Sequence, residues 1–453
     1  MARPLTRAQD GRPAAPVRMV HLGLGNFFRA HQAWYTDRAS DADRWGIAAF
    51  SGRSVGAAAE LARQENLYTL VTVGAERNDY RVVSSVAATH SGSDVDALLT
   101  YLADPQVTVV TLTITEAGYH RNDQQRLDLE HPDIEADVAA IQAGNLHVVR
   151  SGPGKLIAGL IERRRAGGGP ITLISCDNLP DNGTLLSVVL NDLAIRAAPD
   201  LLDYLDTEVG FITTMVDRIT PRTSDAVRQA VLDERGVDDL AAVATEPFSD
   251  WVLAGEFRGP HPNWESAGAV LVDDIVPHEL RKLRLLNGAH SLMAYAATIL
   301  GHRTVADAIA DPIVRGWVDE WWDVAQRQVP LDDDTLADYR TALLERFGNA
   351  RMRDQLSRIA ADGSQKLAVR IVPALIADRK EGNSPIGAER AVAAWTLHLR
   401  GLGAPFNDAQ ADTVKPLGEG SLDDAVRKVC DFLEISDRDS RASILALATR
   451  MEG

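Results

Sequence analysis

Up to about residue 277, β-branched runs alternate with helical stretches, and this alternation commits the chain to an α/β architecture more tightly than any other feature. Residues 17–25, VRMVHLGLG, predict a short buried strand ending in a glycine turn. FFRAHQAWYTDRAS continues as helix, with Phe28, Trp34 and Tyr35 available for packing. WGIAAF (45–50) is a second strand with a helix, SVGAAAELARQ, after it, which makes a βαβ start. LYTLVTV and YRVVSSV, separated by GAERND, predict an antiparallel hairpin inserted into the pattern. QVTVVTLTI (106–114) and PITLIS (170–175) are two further strands. A doubly wound, mostly parallel sheet follows, with ligands expected where TEAGY (115–119) and SCDN (175–178) leave the carboxyl ends of their strands.

After Pro277 the pattern changes, and only helices are predicted from there to the C-terminus. The expected organisation is a Rossmann-like doubly wound domain over residues 1–277 and a mainly α-helical C-terminal domain over 278–453. RKLRLLNGAHSLMAY (281–295) lies just past the junction, apolar on nearly every side yet carrying Lys282, Asn287 and His290, with Glu279 one turn earlier. At α-helical spacing these four polar groups span an arc of roughly 140°. Burying a lysine lowers its pKa and suits it to act as a general base towards an alcohol. The structural alternative is a lysine that snorkels from a surface helix, with the Asn and His satisfied locally.

Composition narrows the partners. A net charge of −17 argues against a general nucleic-acid binder, while anionic ligands remain open because backbone amides bind phosphate locally. Two distant cysteines, Cys176 and Cys430, predict a cytoplasmic protein without a disulfide framework. No apolar run reaches the length of a membrane span, and the basic N-terminus lacks the apolar core of a secretory signal. A monomer is expected, since no large apolar seam stands out.

Gly23-Leu24-Gly25-Asn26-Phe27-Phe28 is a variant of the dinucleotide fingerprint, with Phe28 in place of the third glycine. Gly23, Gly25, Asn26 and Phe28 are therefore candidate cofactor-binding residues. The second strand ends AAFSGRS, without the acid that holds an adenosine ribose; Arg53 there either meets a 2′-phosphate or is an ordinary loop residue, which leaves NAD and NADP both open. Asn178, at the end of PITLISCDN, would donate to a carbonyl or alkoxide oxygen, or close an Asx turn. Asp217, in TTMVDRITP, would bind a substrate hydroxyl, pair with Arg218 or cap a turn. No Tyr is followed by Lys four residues on, and no Cys/His cluster has zinc spacing, so no metal is expected. If the chain oxidises an alcohol, Lys282 is the leading candidate for the base.

HLGLGNFFRAHQAWYTD, TLTITEAGY, SCDNLPDNG, MVDRITP, EPFSDWV, KLRLLNGAHSLMAY and DGSQK, running in order from residue 21 to about 370, together resemble the long-chain polyol-specific dehydrogenases and reductases. The resemblance implies hydride transfer between NAD and a secondary alcohol of an open-chain polyol, without a metal. It implies Lys282 as catalytic base, Asn178 and Asn287 around the reacting oxygen, and Glu279 in proton exchange with solvent. His290 and Asp217 are implied as substrate contacts, as are Arg358 and Lys366, which match by spacing. A hexitol and its ketose, as in the mannitol 2-dehydrogenase members, lead the substrates. Fructuronate or tagaturonate reduction and mannitol 1-phosphate oxidation are the alternatives, and a nicotinamide-binding sensor without turnover is the alternative of another class.

Overall fold

The computed structural model describes residues 3–52 and 56–453, and the chain divides into two compact units, Met1–Ile275 and Val276–Gly453. Among the described residues the first unit has eleven strands: β1 (Val17–Leu22), β2 (Gly46–Phe50), β3 (Tyr68–Val73), β4 (Asn78–Val83), β5 (Val86–His90), β6 (Val109–Leu112), β7 (Ile171–Ser175), β8 (Val209–Asp217), β9 (Val243–Thr245), β10 (Asp250–Ala254) and β11 (Val270–Val272). Eight of them form one sheet in the order β11-β10-β8-β7-β6-β1-β2-β5. Pairing is parallel from β5 through β8; β10 pairs antiparallel with β8, and β11 runs parallel to β10. Leaving out β10 and β11, this is the doubly wound order of dinucleotide-binding folds, with its topological switch between β1 and β6.

Period-two alternation sends each strand's residues to two separate cores. Val20, Ala48, Phe50, Val110 and Leu173 pack under helices Val95–Ala103, Gly152–Ala166 and Asn182–Ala197. Met19, Ile47, Ala49, Val109 and Ile174 face the other layer, with Phe28, Tyr35, Trp251 and Trp264. The sheet is thus buried on both faces, which is why its strands read as nearly continuous apolar runs.

The hairpin of residues 67–86 forms as β3 and β4, antiparallel from Tyr68–Val83 to Val73–Asn78. It stands outside the main sheet. β9 adds to β3 in parallel to make a separate three-stranded sheet, a long-range pairing that local patterning cannot reveal. β5 follows the hairpin and supplies the edge of the main sheet.

In the second unit every described regular element is helical. Helix Ile386–Leu399 is buried on almost every side. Its one carboxylate, Glu389, is fully buried and is held by Arg379 at 2.7 Å and the Ser443 hydroxyl at 2.6 Å. Among the described residues no helix is long and apolar enough to cross a membrane.

Candidate active site

In the first unit, Gly23, Gly25, Asn178 and Asp217 all lie at the carboxyl edge of the parallel strands, where β1, β7 and β8 end. Gly23 has φ +110°, and a Cβ there would lie 2.1 Å from the Thr113 carbonyl oxygen, so only glycine fits beside the β6 exit. Gly25 is exposed and caps helix Asn26–Ala30. The turn is braced from inside. His21, fully buried, donates Nε2–H to the Gly23 carbonyl at 3.2 Å while its Nδ1 accepts from the Thr111 hydroxyl at 2.8 Å. Burial pushes the His21 imidazole down to about 3, so the ring is neutral at ordinary pH.

Phe28 stacks on that imidazole, with ring centroids 3.6 Å apart and planes 11° from parallel. Its side chain is wholly buried and offers no surface to a ligand, so it differs from the other fingerprint positions: a stacked ring replaces the close helix–strand contact that a third glycine permits. Asn26 is half-buried, with its amide donating to the Pro221 carbonyl and the Thr223 hydroxyl. Its Oδ1 accepts from buried Arg29, which also donates to the carbonyls of Gly25 and Ala241. Arg53 lies outside the described residues.

Asn178 is exposed just beyond β7, and the buried residue before it anchors the neighbourhood. Asp177 accepts the backbone N–H of Thr115 at 2.7 Å and of Ile114 at 3.1 Å, and the Tyr119 hydroxyl at 2.8 Å. Burial raises the Asp177 pKa, opposed by these hydrogen bonds. Thr115 has φ +65°, an unfavourable conformation for a β-branched residue that its surroundings must sustain. Fully buried Asn182 completes the tie, donating to the Asp177 and Thr214 carbonyls and accepting the Thr214 N–H. Asp177→Asn turns one acceptor towards a main-chain N–H as a donor and should cost about 1–3 kcal/mol. Thermal unfolding is expected to shift down by roughly 2–10 °C; an unchanged midpoint would show that the carboxylate does not hold the β6 exit.

Asp217 is the last residue of β8, buried and in register with Asp250 of β10. Arg218 beside it donates to the carbonyls of Ala30 and Glu246 and lies 4.3 Å from the Trp34 ring centroid, and burial pushes it down to about 10.

In the second unit, Glu279, Lys282, Asn287 and His290 lie on one continuous helical run from Val276 to Ile299. All four are half-buried; the fully buried positions nearby are Leu285, Leu286, Ala289 and Leu292. Residues Lys282–Gly288 wind as a π-helix, so uniform α-helical spacing does not apply to the polar set. Hydrogen bonding from i to i+5 replaces i to i+4 there, and such turns are frequent at functional sites.

Lys366 sits in the first turn of helix Gly363–Arg370, donating to the carbonyls of Ile359 and Ala361, and burial lowers its pKa. Arg358 is exposed and pairs with Asp354 at 2.7 Å. Arg370 reaches the polar helix, donating to the Ser291 hydroxyl at 3.1 Å and the Asn287 carbonyl at 3.4 Å.

The two units coincide with two family models. The mannitol dehydrogenase Rossmann domain matches residues 17–266, and the mannitol dehydrogenase C-terminal domain matches 274–436. The chain belongs to the mannitol dehydrogenase family. It is 38% identical over 84% of its length to the D-arabinitol 4-dehydrogenase of Ralstonia nicotianae, covering 82% of that protein. It is 35% identical over 91% of its length to the D-mannonate oxidoreductase of Escherichia coli, covering 86% of it. The Pseudomonas fluorescens mannitol 2-dehydrogenase, solved as a ternary complex with NAD and D-mannitol, superposes with a TM-score of 0.76 at 32% identity, over 99% of this chain and 93% of that one.

In this mannitol dehydrogenase family member, six polar side chains that local pattern hardly marks brace the backbone around the candidate residues by hydrogen bonds: His21, Arg29, Asp177, Asn182, Arg284 and Arg370. A polar side chain inside an apolar strand, as His21 is in VRMVHL, was the one local sign. The arginines gave none, because a buried guanidinium and a solvated one look alike in sequence.

Proposed function

We propose that this chain is an NAD-dependent polyol oxidoreductase of the mannitol 2-dehydrogenase type, interconverting a secondary alcohol of an open-chain hexitol and the corresponding ketose. Its membership of the mannitol dehydrogenase family through both units carries this assignment. The turn at Gly23–Gly25 fits a dinucleotide: its backbone is exposed at Gly25, and it sits at the switch point between β1 and β6. Gly23, Gly25 and Asn26 would hold the pyrophosphate side. When bound, NAD supplies the hydride acceptor for oxidation and NADH the donor for reduction.

Lys282, as the neutral amine, would accept the hydroxyl proton of the alcohol, with Glu279 one turn away to exchange it with solvent. The side-chain amides of Asn178 and Asn287 would donate to the oxygen as charge develops on it. His290, Asp217 and Lys366 would bind the remaining hydroxyls. Arg358, exposed and paired with Asp354, would have to leave that carboxylate to meet a substrate. In reduction the ammonium of Lys282 would return the proton. A working monomer in the cytoplasm belongs to the same proposal, and sizing of the purified protein tests the first half of it.

A sugar-acid substrate is the second assignment, favoured by the similarity to D-mannonate oxidoreductase and by the two cations Lys366 and Arg370 on one helix, either of which would meet a carboxylate. Turnover of D-mannitol, D-arabinitol, D-sorbitol, mannitol 1-phosphate, fructuronate and tagaturonate with NAD and with NADP separates the two. The expected result is highest efficiency on a polyol with NAD. A carboxylate substrate winning by an order of magnitude would replace the hexitol assignment. Tight NAD binding with no turnover on any of the six would make the protein a sensor.

A further inference from the structure

The π-turn is held by two indoles. Adjacent residues Trp321 and Trp322, both fully buried on helix Pro312–Ala325, donate their Nε1–H to two consecutive carbonyls of the turn. Trp321 reaches the Arg284 oxygen at 2.9 Å and Trp322 the Leu285 oxygen at 2.8 Å. In an α-helix the carbonyls point along the axis at the N–H four residues on, with little room for a donor from the side. A π-turn hands each carbonyl to the residue five on and widens the helix, which opens those oxygens to a lateral partner.

Gly288 makes the approach possible. A Cβ there would lie 2.5 Å from the Trp321 Cζ2 and 2.6 Å from its Nε1, so a side chain at 288 drives the ring off the turn. A second clamp acts through guanidinium groups: Arg284 donates to the carbonyls of Val369 and Arg370 at 2.7 Å each, and Arg370 reaches back to Asn287 and Ser291.

The consequence is set by the spacing. Lys282 and Asn287 are five residues apart, and in an α-helix they would point about 140° away from each other. Five is the hydrogen-bond interval of a π-turn, which brings residues i and i+5 towards one face. We propose that Trp321, Trp322 and Gly288 are positioning residues for the reaction: by holding the π-turn they direct the Lys282 amine and the Asn287 amide to the same oxygen atom. The proposal rests on Lys282 acting as the general base.

Replacing Trp321 and Trp322 together by Phe removes both N–H donors and keeps two aromatic rings. The double variant is expected to lose roughly 10–100-fold in kcat on the fastest substrate of the six, the size of effect that a misplacement of about 1 Å produces. The KM for NAD should stay within about twofold, since the cofactor turn lies in the other unit, and the oxidation rate should lose its dependence on pH as the amine no longer addresses the alcohol. If the double variant does not fold, Trp322→Phe and Gly288→Ala are measured singly against the same expectations. A kcat within twofold of the parent in a folded variant overturns the proposal, and so does a parallel fall in kcat, NAD affinity and melting temperature, which marks a merely structural role. Lys282→Ala measured alongside tells the two failures apart. If that variant keeps turnover, the general-base assignment fails; if it is inactive while the Trp variants are normal, only the positioning assignment fails.

Discussion

Lys282→Ala is expected to lower turnover by at least about 10²–10⁴-fold, the contribution of a positioned general acid–base group. The KM for NAD should barely move, because Lys282 lies in the second unit on the helical run Val276–Ile299, whereas the glycine turn belongs to the first. Wild-type oxidation should rise with pH as the amine deprotonates, and reduction should fall, since it needs the ammonium. Small exogenous amines should restore part of the oxidation rate in the alanine variant by occupying the vacated space. A purely structural lysine leads to another result: a lower melting temperature with nearly normal turnover per folded molecule. Activity and thermal unfolding measured on one Lys282→Ala sample distinguish the two, and near-normal turnover would end the assignment of Lys282 as the base.

Acid should destabilise the first unit through His21. Its imidazole is fully buried and held down at about 3, while in the unfolded chain it titrates at its ordinary value near 6.5. Above pH 6.5 neither state is protonated and nothing is lost. Between about 6.5 and 3 the unfolded state binds a proton that the folded state refuses, so stability falls by up to about 1.4 kcal/mol per pH unit. Across the window this reaches several kcal/mol, a large share of the stability of an ordinary domain. Asp177 acts in the opposite sense, because its raised pKa lets the folded state take up a proton more readily as pH drops. His21→Gln keeps an N–H donor for the Gly23 carbonyl and cannot charge. Denaturant midpoints measured from pH 7 to pH 4 should fall less steeply in that variant than in the wild type. Equal slopes would mean that the buried imidazole does not govern the acid transition.

Both effects arise where local pattern and tertiary packing meet. The α/β alternation, the glycine turn after β1 and the change to helices near residue 277 are visible in the sequence because each depends on neighbours within one element. A strand of VRMVHL followed by Gly-Leu-Gly declares itself through period two and turn chemistry alone. The motifs that identify the family are legible for the same reason, being short and contiguous: K-x-x-x-x-N-x-x-H, SCDN and MVDRITP.

The tertiary structure decided the rest. The third sheet partner of the hairpin, β9, lies about 170 residues from β3, and no local signal specifies that pairing. The helix carrying Lys282 has an ordinary helical pattern, and on pattern alone its polar residues spread over a wide arc. The π-turn over Lys282–Gly288 goes with two indole N–H groups donating into it from a helix some 37 residues away, and a glycine that lets one of them in. Arg358 and Arg370 are equally basic in sequence, yet one pairs with Asp354 at the surface and the other reaches Asn287. The chain by itself determined which chemical groups are present and which elements carry them. Their directions depend on hydrogen bonds and packing between residues far apart in sequence, and those exist only once the chain has folded.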